Sequence, residues 1–187
     1  LRLSPAGRKV RLAMTEKNVD VERVEEKDWE RRPELLMMNP AGEGPVMVEY
    51  GGEPIAGSTA ITEYLEETAT AIRLMPQDPH ERAEIRRLVD WFDRKFATEV
   101  SDGLIFEKVT RRVLGANEGG GAPDMTVVRA ALHNLRYHLD YICYLMEERN
   151  WLGGEALTLA DLTAAAHLSC LDYVGDVPWN QYPGAKD

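Results

Sequence analysis

The sequence predicts an α/β amino-terminal domain joined to an all-α carboxy-terminal domain, and three observations predict it. Ser4-Pro5 opens a helix close to the start of the chain. A loop rich in proline and glycine at residues 39–45 leads into two short extended runs around Gly51-Gly52, and a further helix opens at Gly57-Ser58. From Asp78 onward strand signals vanish and apolar residues recur at helical spacing. The expected boundaries are 1–68 for the α/β domain, 69–77 for a linker, and 78–187 for a helical domain that is incomplete at its end.

Each element has a local reason. Leu1-Arg2-Leu3 reads as the last part of a strand. Pro5 suits the first helical position because its missing N–H has no partner there in any case, and Ser4 before it caps the helix. Val10, Ala13 and Met14 share one face of this helix, and Asn18 ends it. Val19, Val21 and Val24 predict a strand. Arg32-Pro33-Glu34-Leu35-Leu36 starts a short helix, which Asn39-Pro40 terminates because a residue before proline is pushed out of the α region. Residues 45–50 and 53–56 flank Gly51-Gly52 as a hairpin. Ser58 then caps a helix carrying Ile61, Tyr64 and Leu65. The order β-α-β-α-β-β-α is the thioredoxin-like arrangement.

In the second half, Ile85, Leu88, Val89, Phe92 and Phe96 mark one long amphipathic helix, and Val128, Leu132, Leu135, Leu139, Ile142 and Met146 mark another. Residues 115–123, with Gly119-Gly120-Gly121, read as a flexible connection. Thr158-Leu159-Ala160-Asp161 reads as a capping box with Asp in place of Glu, followed by an apolar helix over residues 162–171.

Composition narrows the function classes. The 187 residues carry 22 Lys and Arg against 32 Asp and Glu, a net charge of -10. Such a chain repels phosphate backbones, so nucleic acid is not an expected partner. No apolar run approaches the roughly 20 residues of a membrane span, and a cytoplasmic protein is expected. Cys143 and Cys170 lie inside helical patterns, which predicts reduced thiols rather than a disulfide framework. His133 and His138 sit five apart on different helix faces, and His80 and His167 lie in separate elements, so no metal site is proposed. Arg86, Asp90 and Arg94, at four-residue steps, read as a charge ladder on a solvated face; the alternative is a basic strip of Arg82, Arg86, Arg87 and Lys95 offered to an acidic partner.

Ser4-Pro5-Ala6-Gly7-Arg8-Lys9-Val10-Arg11, Asn39-Pro40-Ala41-Gly42-Glu43-Gly44-Pro45-Val46 and Gly57-Ser58-Thr59-Ala60-Ile61 resemble three turns of the glutathione transferases. The box at Thr158 to Asp161 resembles the one that starts the central helix of their helical domain, and the resemblance spans essentially the whole chain. It implies that Ser4 donates to the thiolate of glutathione, that Gly44-Pro45 is a cis peptide presenting backbone to the ligand's cysteine portion, and that Ser58 holds the γ-glutamyl carboxylate. Each has a plainer counterpart: Ser4 and Ser58 as helix caps, and the cis proline as a fold element. Gly7 follows Ala6, so no second thiol is present for dithiol chemistry. Two residues depart from the family pattern. Gly44 replaces a branched apolar residue, and Gly57 replaces the acid or amide that receives the ligand's ammonium group. Loss of that charge-assisted contact removes about 1.5 to 3 kcal/mol, near tenfold or more in affinity. Ser4, Gly44, Pro45, Gly57 and Ser58 are therefore expected to form a vestigial site, with glutathione bound weakly or not at all and no cofactor.

At a finer level, Trp29-Glu30-Arg31-Arg32-Pro33-Glu34-Leu35-Leu36, Tyr137-His138-Leu139-Asp140-Tyr141 and the run from Ala164 to Tyr173 with Gly175-Asp176-Val177-Pro178-Trp179 resemble a transferase-like, FtsZ-binding branch of that family in alphaproteobacteria. That resemblance implies a homodimer at the division site that binds FtsZ filaments and influences their curvature and the rate of constriction, without catalysis. Trp29 and Arg31 are the candidate partner-binding residues, because a large aromatic between charges in a loop is hard to bury. An interior Trp29 folded under the loop is the alternative. The aromatic and acidic stretch from Leu171 to Trp179 reads equally as structure or interface. The alternative function is a glutathione transferase in which Ser4 activates the thiol while Gly44 and Ser58 hold the peptide.

Overall fold

The computed structural model describes residues 3–186, so the strand expected to end at Leu3 falls largely outside the described residues. The chain divides into two compact units, Leu1–Gln77 and Asp78–Asp187.

In the first unit α1 (Pro5–Glu16) starts as the sequence predicts, with Pro5 in its first turn and the Ser4 hydroxyl oxygen accepting the Gly7 amide at 3.1 Å. Val10, Ala13 and Met14 are buried, and Asn18 leaves the helix in a left-handed conformation at φ 55°. The short α2 (Pro33–Met38) stops at Asn39, whose side chain accepts from the Ala41 amide at 3.2 Å and donates to the Glu43 carbonyl at 2.7 Å. Two antiparallel strands follow, β1 (Val46–Met47) and β2 (Ile55–Ala56), paired Val46 to Ala56 and Met47 to Ile55. Helix α3 (Ser58–Thr68) packs on α1 and buries Ile61 and Leu65.

Three expectations are corrected here. The hairpin is shorter than predicted, because Val48 and Tyr50 are exposed and the chain turns at Glu49, where the Gly52 amide returns to the Glu49 carbonyl at 2.9 Å. Residues 19–24 form no strand. A strand exists through a neighbour's hydrogen bonds, and among the described residues no ladder pairs with this segment; Val24 is 78% exposed, and the Val19 amide turns back to Met14. Ser58 is not a cap but the first helical residue, the cap position belonging to Gly57.

The ends of α1 and α3 are joined by a buried ion pair. Lys17 Nζ lies 2.7 Å from Glu66 Oε1 and donates to the carbonyls of Ala69 and Ile72 at 3.0 and 2.6 Å, while Glu66 Oε1 also accepts the Leu74 amide at 3.0 Å.

In the second unit α4 (Pro79–Asp90) is capped by Asp78, which accepts from the amides of His80 and Glu81. It runs on without a break through a π-helical stretch (Trp91–Ser101), α5 (Asp102–Ile105), a π-helical turn (Phe106–Thr110) and α6 (Arg111–Val113). Leu88, Phe92, Phe96, Val100 and Leu104 are all buried, at strict four-residue steps. On a straight α-helix of 3.6 residues per turn such a line drifts by about 40° per step. Wider π turns, with their i to i+5 bonds, take up that drift and keep the line on one face. Against it pack α7 (Met125–Met146), through Leu135 and Leu139, and α8 (Leu159–Tyr173), which is buried on almost every side. The predicted box opens α8: Asp161 accepts from the Thr158 amide at 2.8 Å and from the Leu152 amide at 2.7 Å. At its other end Gly175, at φ 77°, donates to Asp172 while the Asp176 amide reaches back to Leu171, closing the last carbonyls.

Candidate functional site

The cis-proline loop and the start of α3 meet. The Gly44-Pro45 bond is cis, and the Pro45 carbonyl accepts the Gly57 amide at 2.9 Å, so Gly44, Pro45, Gly57 and Ser58 share one corner of the first unit. The first intrahelical donor of α3 is Ile61, whose amide bonds Gly57 at 3.0 Å. The amides of Ser58, Thr59 and Ala60 therefore precede the helix ladder, and with the helix dipole they favour an anion such as a carboxylate. Gly57 is exposed at φ 92°, and a Cβ built on it meets nothing within 4 Å. There is room for a side chain here, and Gly57 itself supplies no acid to receive an ammonium group.

Ser4 stands at the mouth of α1, the helix packed on α3. Its cap contact with Gly7 uses an oxygen lone pair and leaves the hydroxyl proton to be donated, so capping and thiolate stabilisation are chemically compatible at this residue. Sequence reasoning passed over Arg11. A Cβ at Gly7 would lie 3.3 Å from Arg11 Nη1 and 3.5 Å from Ser4 Oγ, which places a guanidinium beside the helix mouth. Nothing in the local sequence pattern separates Arg11 from the other cations of α1.

Trp29 and Arg31 lie in one tight loop. Trp29 occupies a 3₁₀ turn (Asp28–Glu30) and is half-buried, between the two alternatives weighed from sequence. Arg31 is exposed in the left-handed region at φ 44°, a conformation uncommon for a residue with a side chain. Two clasps close the loop: Arg32 grips Glu26 through two bonds of 2.8 and 2.6 Å, and Lys27 bonds Glu30 at 2.8 Å. The Arg32 contact holds the Glu26 carboxyl below its ordinary pKa.

The second unit carries an open groove of about 600 Å³ lined by Arg87, Asp90, Trp91, Arg94, Lys95, Thr98 and Glu99. Its charges are paired along the helix, Arg94 with Asp90 at 2.6 Å and Lys95 with Glu99 at 2.5 Å, as a charge ladder requires. Beneath it Trp91 bonds His138, a contact between residues too far apart in sequence for periodicity to reveal. A cavity of about 430 Å³ in the first unit is lined by residues of α1 and of the following segment, from Arg11 to Arg23. Neither is lined by Ser4, Gly44 or Ser58.

Residues 3–68 match the family model described as glutathione S-transferase, N-terminal domain. The chain is 46% identical to FtsZ-localized protein A of Caulobacter vibrioides, over 98% of this chain and 80% of that one. Among solved structures, FzlA from C. crescentus superposes with a TM-score of 0.93 at 44% identity, covering 100% of this chain and 82% of the other. A glutathione S-transferase from Rhodospirillum rubrum F11 superposes with a TM-score of 0.95 at 50% identity, with 100% and 82% covered. The fold predicted from sequence is thus the fold these relatives share, and the chain belongs to the glutathione S-transferase family, in the branch that holds FtsZ-localized protein A.

Proposed function

We propose that this chain is a non-catalytic, transferase-like regulator of bacterial cell division, which binds FtsZ filaments in the cytoplasm at the division site and affects their curvature and constriction. The likeness to FtsZ-localized protein A over nearly the whole chain carries this reading. The chemistry of the first unit supports it. A carboxylate has a place at the start of α3, but Gly57 offers nothing to the ammonium group beside it, and glutathione is bound weakly or not at all. Ser4, Gly44, Pro45, Gly57 and Ser58 then persist as the helix start and turn that shape the unit.

Trp29 and Arg31 form the partner contact in this account. The paired clasps hold the loop so that ordering it on binding costs little, and Arg31 stands exposed beside a half-buried aromatic anchor. The protein acts as a homodimer, as the family resemblance implies. Cosedimentation with FtsZ polymer tests the reading: the wild-type protein pellets with polymer, and Trp29→Ala or Arg31→Glu shifts it to the supernatant. Wild-type protein left in the supernatant at low salt contradicts it.

The second reading is a glutathione transferase, favoured by one observation, the Ser4 hydroxyl at the mouth of α1, whose oxygen accepts from Gly7 and which can still act as a donor. Calorimetry with millimolar glutathione separates the two. Silence supports the scaffold, and a saturable signal lost in Ser58→Ala supports the enzyme.

A further inference from the structure

The Trp91 indole, at the first residue of the π-helical stretch, forms part of the groove wall and donates to His138 Nδ1 at 3.1 Å. An indole N–H is a donor only, so Nδ1 must be the unprotonated nitrogen of the ring. The imidazole proton then sits on Nε2, which donates to Glu99 Oε2 at 2.9 Å. Glu99 is held in turn by Lys95 at 2.5 Å, and Lys95 lies 5.7 Å above the Trp91 ring. The four side chains close a circuit from indole to imidazole to carboxylate to ammonium and back to the indole face. The link from indole to imidazole requires a neutral His138.

We propose that His138 is an acid-operated latch on this groove: a second proton entering at Nδ1 turns the acceptor into a donor facing the indole N–H, and Trp91 leaves its seat. Nδ1 is the acceptor of that indole, so protonation at Nδ1 and the seated Trp91 exclude each other. The charged groups facing His138 come from the π-helical stretch. Glu99 favours the cation and Lys95 opposes it. Beyond the Phe96 ring, which stands edge-on to both histidines, lie His167, bonded to Ser101 at 2.8 Å, and Asp93, 3.6 Å from His167 Nε2. Burial outweighs Glu99, and the imidazole is held below the ordinary histidine range. The indole is seated at neutral pH and is released as the medium acidifies below the ordinary histidine value of about 6.5. This device is independent of the FtsZ reading and survives its failure.

The test is NMR on the ¹⁵N-labelled full chain, recording the imidazole tautomer and the solvent exchange of the Trp91 indole proton from about pH 7.5 down to about pH 5. The expected result is an Nε2–H tautomer at the upper end. Indole protection, corrected for intrinsic exchange, then falls about tenfold per pH unit once His138 titrates, while helical circular dichroism is unchanged. In His138→Gln, which keeps an acceptor and a donor but cannot titrate, protection stays flat. In Trp91→Phe the His138 midpoint moves upward, because no indole opposes the second proton. An Nδ1–H tautomer at neutral pH, protection indifferent to His138 titration, or loss of helical signal with the same midpoint overturns the latch.

Discussion

Gly57 carries the argument against catalysis, and its backbone explains why the position is occupied as it is. At φ 92° glycine has no Cβ to strain, and the surrounding space is open. Gly57→Glu therefore has two opposed effects: the carboxylate regains an ammonium contact, and the backbone is strained by about 1 to 3 kcal/mol. Calorimetry should show glutathione affinity rising about tenfold or more over wild type, with a lowered urea midpoint. Unchanged affinity would contradict the role assigned to Gly57. Lys17 is a residue whose loss should cost the first unit heavily. Its side chain is 1% exposed and that of Glu66 is 6%, so Lys17→Met strands a buried carboxylate at a cost of about 3 to 5 kcal/mol by denaturant titration. The double variant Lys17→Met, Glu66→Leu should recover much of that loss, since neither charge is then left buried alone.

Single helices were the most legible elements, because caps and apolar spacing act within a few residues. Ser4-Pro5, Asn18 and the Asp161 box all lie where local rules place them. Strands were less legible, since Val19, Val21 and Val24 have the right side chains but no ladder among the described residues. Ser58 shows a finer limit. A serine before an apolar run satisfies the cap grammar, yet the positive φ of Gly57 moves the cap back by one residue. Leu88, Phe92 and Phe96 were visible in sequence, but reading them as α-helical spacing missed the π-helical stretch that carries the line on to Val100 and Leu104. Within the helical unit Asp161 caps α8 through two amides. Asp161→Ala leaves the amides of Thr158 and Leu152 without their acceptor, and a loss of about 1 to 3 kcal/mol is expected in thermal or urea unfolding.

For the whole molecule, acid should act in two stages. His138 is neutral in the fold and held below its unfolded value, so the unfolded chain binds the extra proton first. Its stabilising contribution is complete above about pH 6.5 and is lost as pH falls through the lower folded value. Carboxyls held low by cations, among them Glu26 beside Arg32 and Glu84 beside Arg87, are lost only at lower pH. Urea midpoints recorded against pH should fall in that order, and His138→Gln should flatten the first stage alone. The family and its two-part architecture were readable from turns and caps, whereas the Trp91 and His138 contact and the place of Arg11 depend on tertiary packing that no local pattern encodes. A fold shared by a named transferase and by FzlA at nearly equal TM-scores does not choose between chemistry and scaffold. Cosedimentation of the wild-type protein with FtsZ polymer in millimolar glutathione does so most directly. The account predicts that the protein pellets with polymer and that glutathione leaves the bound fraction unchanged; protein remaining in the supernatant at low salt, with and without glutathione, would contradict it.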